Sequence, residues 1–199
     1  HILERAIGVM AILVIPIAIS VHTVVSWVFA MTVQPMWHST IFGPYFVVGA
    51  IFSGIAALII ALAIVRKVYG LENYLRDVQF NNLGRLLLVM ALLWFYFTFA
   101  EHLTTFYGQE PEEMRILLSK LAGPYWPAFW GMVLCCFVIP VPILAIKKLR
   151  TVAGTVVASS FIVVGMWLER FIIVVPSLSQ PRLMPTQIVY HPTWVELFI

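Results

Sequence analysis

The sequence predicts an all-α integral membrane protein, a bundle of about five transmembrane helices. Of its 199 residues, 62% are hydrophobic and only 11% are charged, and the mean hydropathy is +0.98. A soluble domain carries about 25% charged residues, because its exterior must be hydrated. The apolar residues also fall in blocks of the roughly 20 residues that a helix needs to cross a bilayer. The net charge of +3 comes with no basic stripe, so neither a soluble domain nor a nucleic-acid-binding protein is expected.

Five apolar blocks predict the five spans. The first is too long for the apolar core of a signal peptide, and Pro176 ends the last one. The chain begins with His1 instead of Met, and residues 194–199 resemble the start of another apolar segment. We therefore expect 1–199 to be a single transmembrane helical domain from a longer protein. The predicted spans are residues 6–28, 42–65, 86–106, 125–146 and 152–175.

The charges of the connecting loops predict the orientation. Lys and Arg are concentrated in residues 66–85 and 147–151, whereas 29–41 has neither and 107–124 is acidic. Cytoplasmic loops of membrane proteins carry an excess of Lys and Arg. We therefore expect 66–85 and 147–151 to be cytoplasmic and the other two loops to lie outside.

Three further patterns concern packing. Residues 71–80 are too polar to span, and their apolar positions share one helical face, which suggests a short surface helix or else an ordinary loop. Gly49, Ser53 and Ala57 recur every four residues, a spacing that lets two membrane helices approach closely. The adjacent Cys135 and Cys136 point to different faces and form no metal or iron–sulfur set, so we interpret them as core residues.

Few titratable residues interrupt the spans, and they are the candidates for function because burying charge in lipid is unfavourable. At 1.5 Å per residue, all of them lie about 23–26 Å from the inner end of their spans, in the outer third of a core about 30 Å thick. Three helices would thus bring polar groups to one level. The residues are His22, Glu101, His102, Glu169 and Arg170.

Each of these residues also has a structural interpretation. His22 could be a hydrogen-bonded packing residue, and Glu101 and His102 could extend to the interface. Glu169 and Arg170 project about 100° apart, so each is expected to find its partner on another helix.

As a cluster, the same residues suit quinol oxidation, which needs proton acceptors, or proton conduction. His22 and His102 could also ligate one haem as a pair. We assign no catalytic or metal-binding residue.

Several segments carry a family resemblance. They are residues 21–27 (VHTVVSW), 35–46 (PMWHSTIFGPYF), 49–54 (GAIFSG), 165–171 (GMWLERF) and 191–196 (HPTWVE). Together they resemble the NrfD/PsrC-type membrane subunits, most of all the ActC-type subunit of alternative complex III. An acidic residue usually follows Ser-Trp or Ser-Phe in the first motif of that family, and here the position is Val28.

The resemblance implies a fold of two four-helix bundles, of which this chain would hold the second. It implies a membrane subunit that handles quinol, such as menaquinol, and binds no redox cofactor itself. Electrons would pass to iron–sulfur and multihaem cytochrome c subunits, beside a second NrfD-like membrane subunit. The alternatives are a proton-translocating subunit and a purely structural membrane anchor of the same kind of complex.

Overall fold

The computed structural model describes residues 2–32, 34–179, 190 and 193. These residues form helices joined by short loops, and no strand occurs among them. The elements are α1 (Ile2–Ala30), α2 (Phe42–Val68), α3 (Asp77–Gly108), α4 (Pro111–Leu121), α5 (Trp126–Val133), a π-helical turn (Leu134–Val138), α6 (Pro140–Ala145) and α7 (Val152–Leu178).

Within the described part of the chain, five segments are long and apolar enough to cross a membrane, which confirms the predicted fold class. They are α1, α2, α3, α7 and the stretch Trp126–Ala145, in which α5, the π-helical turn and α6 follow one another. Each one coincides with a predicted span to within a few residues, except that α3 begins nine residues earlier. The motif at 191–196 lies outside the described residues, apart from Thr193.

Successive membrane-spanning helices run in opposite directions, so their connecting segments lie at two ends of the bundle that differ in charge. The loop 31–41, the helix α4 and the loop 122–125 lie at one end, which we call the acidic end. The loops 69–76 and 146–151 lie at the other, the basic end, where Arg150 Nε donates a hydrogen bond to Asn81 Oδ1 at 2.6 Å.

The core lies between α2, α3, α7 and the α5–α6 span, with α2 packed against α1, α3 and α7. Its largest fully buried side chains include Trp94, Phe52, Phe80 and Ile162. Along most of its length α1 presents exposed apolar side chains, as a helix surrounded by lipid would. It meets α2 near the acidic end, where Phe29 stacks on Phe46 with ring centroids 6.2 Å apart.

The predicted stripe of small residues on α2 is only partly the packing face. A methyl group on Gly49 would lie 3.2 Å from Met166 Cε of α7, so the two helices do approach closely there. Ala57 is exposed, however, and the buried face continues through Phe52 and Ala56 instead. The reason is geometric, because a row with a spacing of four residues drifts around a helix that has 3.6 residues per turn.

The short surface helix predicted at 71–80 is wrong. Residues 72–74 form a turn after Gly70, whose positive φ of 62° ends the preceding helix. From Asp77 onward the chain already belongs to α3. Asp77 lies in the first turn of α3, where a carboxylate is favoured by the helix dipole, and it accepts a hydrogen bond from Arg66 of α2 at 2.9 Å.

Candidate functional site

A small cavity near the acidic end collects most of the polar residues that the sequence singled out. It is enclosed by α2, α3, α4, α5, α7 and the loop 31–41, and it offers about 30 Å³ to water. That volume holds about two water molecules. Its lining residues are Met36, Trp37, Phe42, Tyr45, Glu101, His102, Lys120, Met132, Glu169, Ile172 and Ile173.

Glu101 lies on α3 at the boundary between this cavity and the acidic end. Ser39 Oγ lies 3.0 and 2.8 Å from the two carboxylate oxygens and donates its single proton to this carboxylate. Glu101 also lines a second space, a polar cleft of about 410 Å³ that includes His38, Glu110 and Glu113. In the cleft, His38 Nε2 lies 3.4 Å from a Glu113 carboxylate oxygen. Glu101 is therefore common to the buried cavity and the polar cleft.

His102, the next residue, lies at another boundary of the cavity. Its Nδ1 is 2.7 Å from the carbonyl oxygen of Thr98, one turn earlier on α3. A carbonyl only accepts, so Nδ1 carries the proton and Nε2 of the neutral ring is an acceptor. Nε2 is buried and has no hydrogen-bond partner. His102 also lines a third space, an apolar groove of about 330 Å³ between α3, α4 and α5.

Glu169 of α7 is the most deeply buried carboxylate, with 1% of its surface exposed. One oxygen accepts a short hydrogen bond from the indole Nε1 of Trp94 on α3. The other lies 3.6 Å from Arg170 NH1 and has no hydrogen-bond partner. The Arg170 guanidinium in turn lies 4.6 Å from the ring centroid of Phe46 on α2. Both residues thus have partners on other helices, as expected, and they also contact each other.

Sequence reasoning missed Lys120, a buried cation that closes the cavity. It lies on α4, an amphipathic helix that begins with Pro111 at the outer end of α3 and folds back over the bundle. Burial lowers the pKa of Lys120 from 10.5 to about 8, and the negative charge of Glu101 opposes this shift. Its Nζ lies 3.6 Å from Met36 Sδ. The available signals were Pro111 followed by two glutamates and apolar residues at helical spacing.

The loop 31–41 contributes to the cavity through an unusual backbone conformation. Met36 has φ of +67°, which is costly for a residue with a side chain. Trp37 beside it donates an indole hydrogen bond to the carbonyl of Ile173 on α7 at 3.0 Å, which anchors the loop. Strained backbone of this kind persists where the surrounding structure fixes it, often at functional sites.

His22 is placed apart from the other candidates. It is partly buried on α1, and its Nδ1 lies 2.7 Å from the carbonyl oxygen of Ala18 on the same helix. It lines neither the cavity nor the cleft nor the groove, so it shares none of these three spaces with His102. The sequence predicts His22 and His102 at similar depths, but their imidazoles do not line a common space.

The family model for polysulphide reductase NrfD matches residues 1–181. The chain belongs to the NrfD family. NrfD proteins are membrane subunits of quinol-linked electron-transfer complexes, in which they interact with quinones and associate with iron–sulfur and other subunits. This chain is accordingly a multi-pass NrfD-type membrane protein. No individual curated protein matches it significantly.

Proposed function

We propose that this NrfD-type chain serves a quinol-oxidising complex and that its polar cluster carries protons away from quinol toward the outer face. Oxidation of one quinol to quinone releases two electrons and two protons. In this proposal the electrons pass to iron–sulfur and multihaem cytochrome c centres of partner subunits. The protons pass through Glu101, His102 and Glu169 with Arg170 as the charge partner, because carboxylates and imidazoles are suitable proton acceptors.

The observation that carries the proposal is the position of Glu101. Among the residues that the structure describes, Glu101 alone lines both the cavity with Glu169 and Lys120 and the polar cleft with His38. A proton accepted at Glu169 or His102 can therefore be passed to Glu101, a titratable residue at the boundary of the cleft. Water in the cavity can bridge the remaining distances, because Glu101, Lys120 and Glu169 line the space and it is large enough for water.

The finer assignments belong to the same proposal. The sequence likeness favours an ActC-type subunit of alternative complex III with a second NrfD-like subunit beside it, and menaquinol as the quinol. The same likeness favours a bacterial inner membrane, and the excess of Lys and Arg favours a cytoplasmic position for the basic end. The acidic end would then face outward, so that protons leave on the outer side.

Proton translocation across the whole membrane is the rival within the same complex. It would require polar groups that continue from Glu169 to the basic end. On the buried face of α7, however, Ile162 and Met166 separate Glu169 from Ser159. Ten residues of helix correspond to about 15 Å, too far for a direct proton transfer. Release at one face therefore fits this helix better than passage across it.

The test compares Glu101→Gln and Glu169→Gln in the assembled complex with Glu72→Gln, an exposed residue in the loop at the basic end. Quinol oxidation and proton release into the medium are followed in reconstituted vesicles. Loss of a proton acceptor typically costs about 10²–10⁴-fold in rate, so we expect at least a tenfold fall for the first two variants. Glu72→Gln should retain full activity.

Two outcomes would contradict this role. Unchanged turnover in both glutamine variants would remove the cluster from the proton route. A structural anchor would instead lose assembled complex while the remaining complexes kept their turnover.

A further inference from the structure

Lys120 is a buried cation that the proposed proton route does not use. Only 4% of its surface is exposed, and it lines the cavity from α4. Because α4 packs against α3, α5 and α7, the side chain lies inside the bundle and not on its surface. The fold therefore keeps an amine in the cavity despite the cost of burying a charge.

The surroundings of this amine hold its proton only weakly. An ammonium group can donate three hydrogen bonds. Among the residues that the structure describes, Nζ has one acceptor within reach, the thioether sulfur of Met36 at 3.6 Å, and sulfur is a weak acceptor. Buried polar groups are normally satisfied, so the remaining donor positions are places for the water that the cavity can hold.

Proton acceptors face the same cavity from the elements around α4. Nζ contacts Met36 and interacts with the charge of Glu101, and both residues line the cavity, so the amine end of the side chain faces that space. The described groups that line it with Lys120 are Glu101 and His102 of α3, Glu169 of α7 and Tyr45 of α2, whereas α5 contributes Met132, which does not titrate.

We propose that Lys120 carries protons between the inner acceptors and Glu101. This inference rests on the proposed function and adds a carrier to its route. The ammonium group gives its proton to the Glu101 carboxylate, which releases it to the polar cleft. The neutral amine then takes the next proton from Glu169 or His102 through cavity water and becomes an ammonium group again. One proton moves outward in each cycle, and every group returns to its starting charge.

The chemistry of a buried lysine suits this step. A proton carrier works best when its pKa lies near the pH at which it operates. Burial lowers the pKa of Lys120 to about 8, whereas an ordinary lysine with a pKa of 10.5 holds its proton too firmly. An arginine at the same position would keep the charge and would not give up a proton. Arginine therefore separates a proton carrier from a residue that supplies only charge.

The first test measures quinol oxidation per assembled complex in Lys120→Arg and Lys120→Met. Neither variant can exchange a proton at this position, so we expect both to slow turnover by about tenfold or more. Lys67→Met, at an exposed position of the basic end, is the control and should retain full turnover.

A second measurement does not depend on how well arginine fits. Lys120→Ala leaves space beside the cavity that a small amine can enter. We expect added methylamine to restore turnover of this variant in a dose-dependent way, because methylamine can accept and donate a proton there. Guanidinium is charged but does not release its proton near neutral pH, so it should not restore turnover.

Full turnover in Lys120→Arg would show that only the charge is needed and would overturn the carrier role. So would equal rescue by guanidinium, no rescue by methylamine, or a loss of assembled complex with unchanged turnover in what remains. The proposed function would survive each of these results if Glu101→Gln and Glu169→Gln still slowed quinol oxidation. Full turnover in those two variants would instead remove the proposed route itself.

Discussion

At the residue scale, the two buried carboxylates of the site have different surroundings. The carboxylate of Glu101 accepts the single hydroxyl proton of Ser39, and it reaches the polar cleft. Glu169 has one oxygen bonded to Trp94 and one without a hydrogen-bond partner. Buried polar atoms are normally satisfied, so this oxygen, which lies 3.6 Å from Arg170 NH1, is a place where a water would be bound. We therefore regard Glu169 as the inner acceptor and Glu101 as the exit.

Lys120 gives a prediction about pH and stability. Burial lowers its pKa in the folded chain to about 8, against 10.5 for an ordinary lysine. Between these values the unfolded chain binds more protons than the folded one, so a rise in pH stabilises the fold. We expect the thermal midpoint of the purified protein to rise relative to that of Lys120→Met as the pH goes from about 8 toward 10.5.

The matched control is Lys67→Met, because Lys67 is exposed at the basic end. Its thermal midpoint should follow that of the unsubstituted protein across the same pH range. Parallel curves for Lys120→Met and the unsubstituted protein would mean that Lys120 is not buried as a cation.

The sequence indicated only part of the site, for a physical reason. A charge within an apolar stretch is visible without a structure, so Glu101, His102 and Glu169 could be found from their depths. Depth does not specify which way a side chain points around its helix, and His22 at the same depth lines none of the three spaces. Lys120 falls within the predicted outer loop 107–124, and only tertiary packing shows that α4 covers the cavity.

At the element scale, the fourth span shows how a helix is adapted to a close neighbour. The π-helical turn Leu134–Val138 precedes Pro140, which has no backbone N–H to donate to the preceding turn. At this turn α7 approaches so closely that a methyl group on Gly165 would lie 2.5 Å from Cys136 Sγ and 2.9 Å from Cys135 Cβ. Gly165 and the two cysteines thus form one packing unit, consistent with the structural interpretation of the cysteines.

Gly165→Ala is therefore expected to destabilise the protein. Overpacking a well-filled core costs about 1–3 kcal/mol, which should lower the thermal midpoint in detergent. Gly54→Ala is the control, because a methyl group there has open space on all sides and alanine favours helix. Equal midpoints for the two variants would show that α7 and the π-helical turn do not pack as closely as described.

Long apolar runs in the sequence predicted the membrane spans. The π-helical turn and the turn at 72–74 depend on single glycine and proline residues, and they were not predicted. All five spans follow from length and hydropathy alone. The π-helical turn depends on Pro140 and on the close approach of Gly165 to Cys135 and Cys136, which hydropathy does not encode. Residues 72–74 form a turn and not the predicted helix. Gly70 has a positive φ and α3 already begins at Asp77, so too few residues remain between them for another helix.

At the scale of the whole molecule, the candidate site lies at one end. The cavity and the polar cleft draw on residues at the acidic end, and the groove opens beside them. The basic end contributes ion pairs and hydrogen bonds such as Arg66–Asp77 and Arg150–Asn81. If the basic end is cytoplasmic, this asymmetry directs proton release outward, so the orientation of the chain decides the direction of the proposed chemistry.

Two tyrosines at opposite ends test that orientation. Tyr107 is 88% exposed near the acidic end and Tyr74 is 79% exposed at the basic end, so each can be replaced by cysteine with little disturbance. On intact cells, a membrane-impermeant thiol reagent should label Tyr107→Cys and leave Tyr74→Cys unlabelled. Both should react after permeabilisation, and the unsubstituted chain reports the background from Cys135 and Cys136. The reverse pattern would place the acidic end in the cytoplasm, so that protons from the cluster would be released inward.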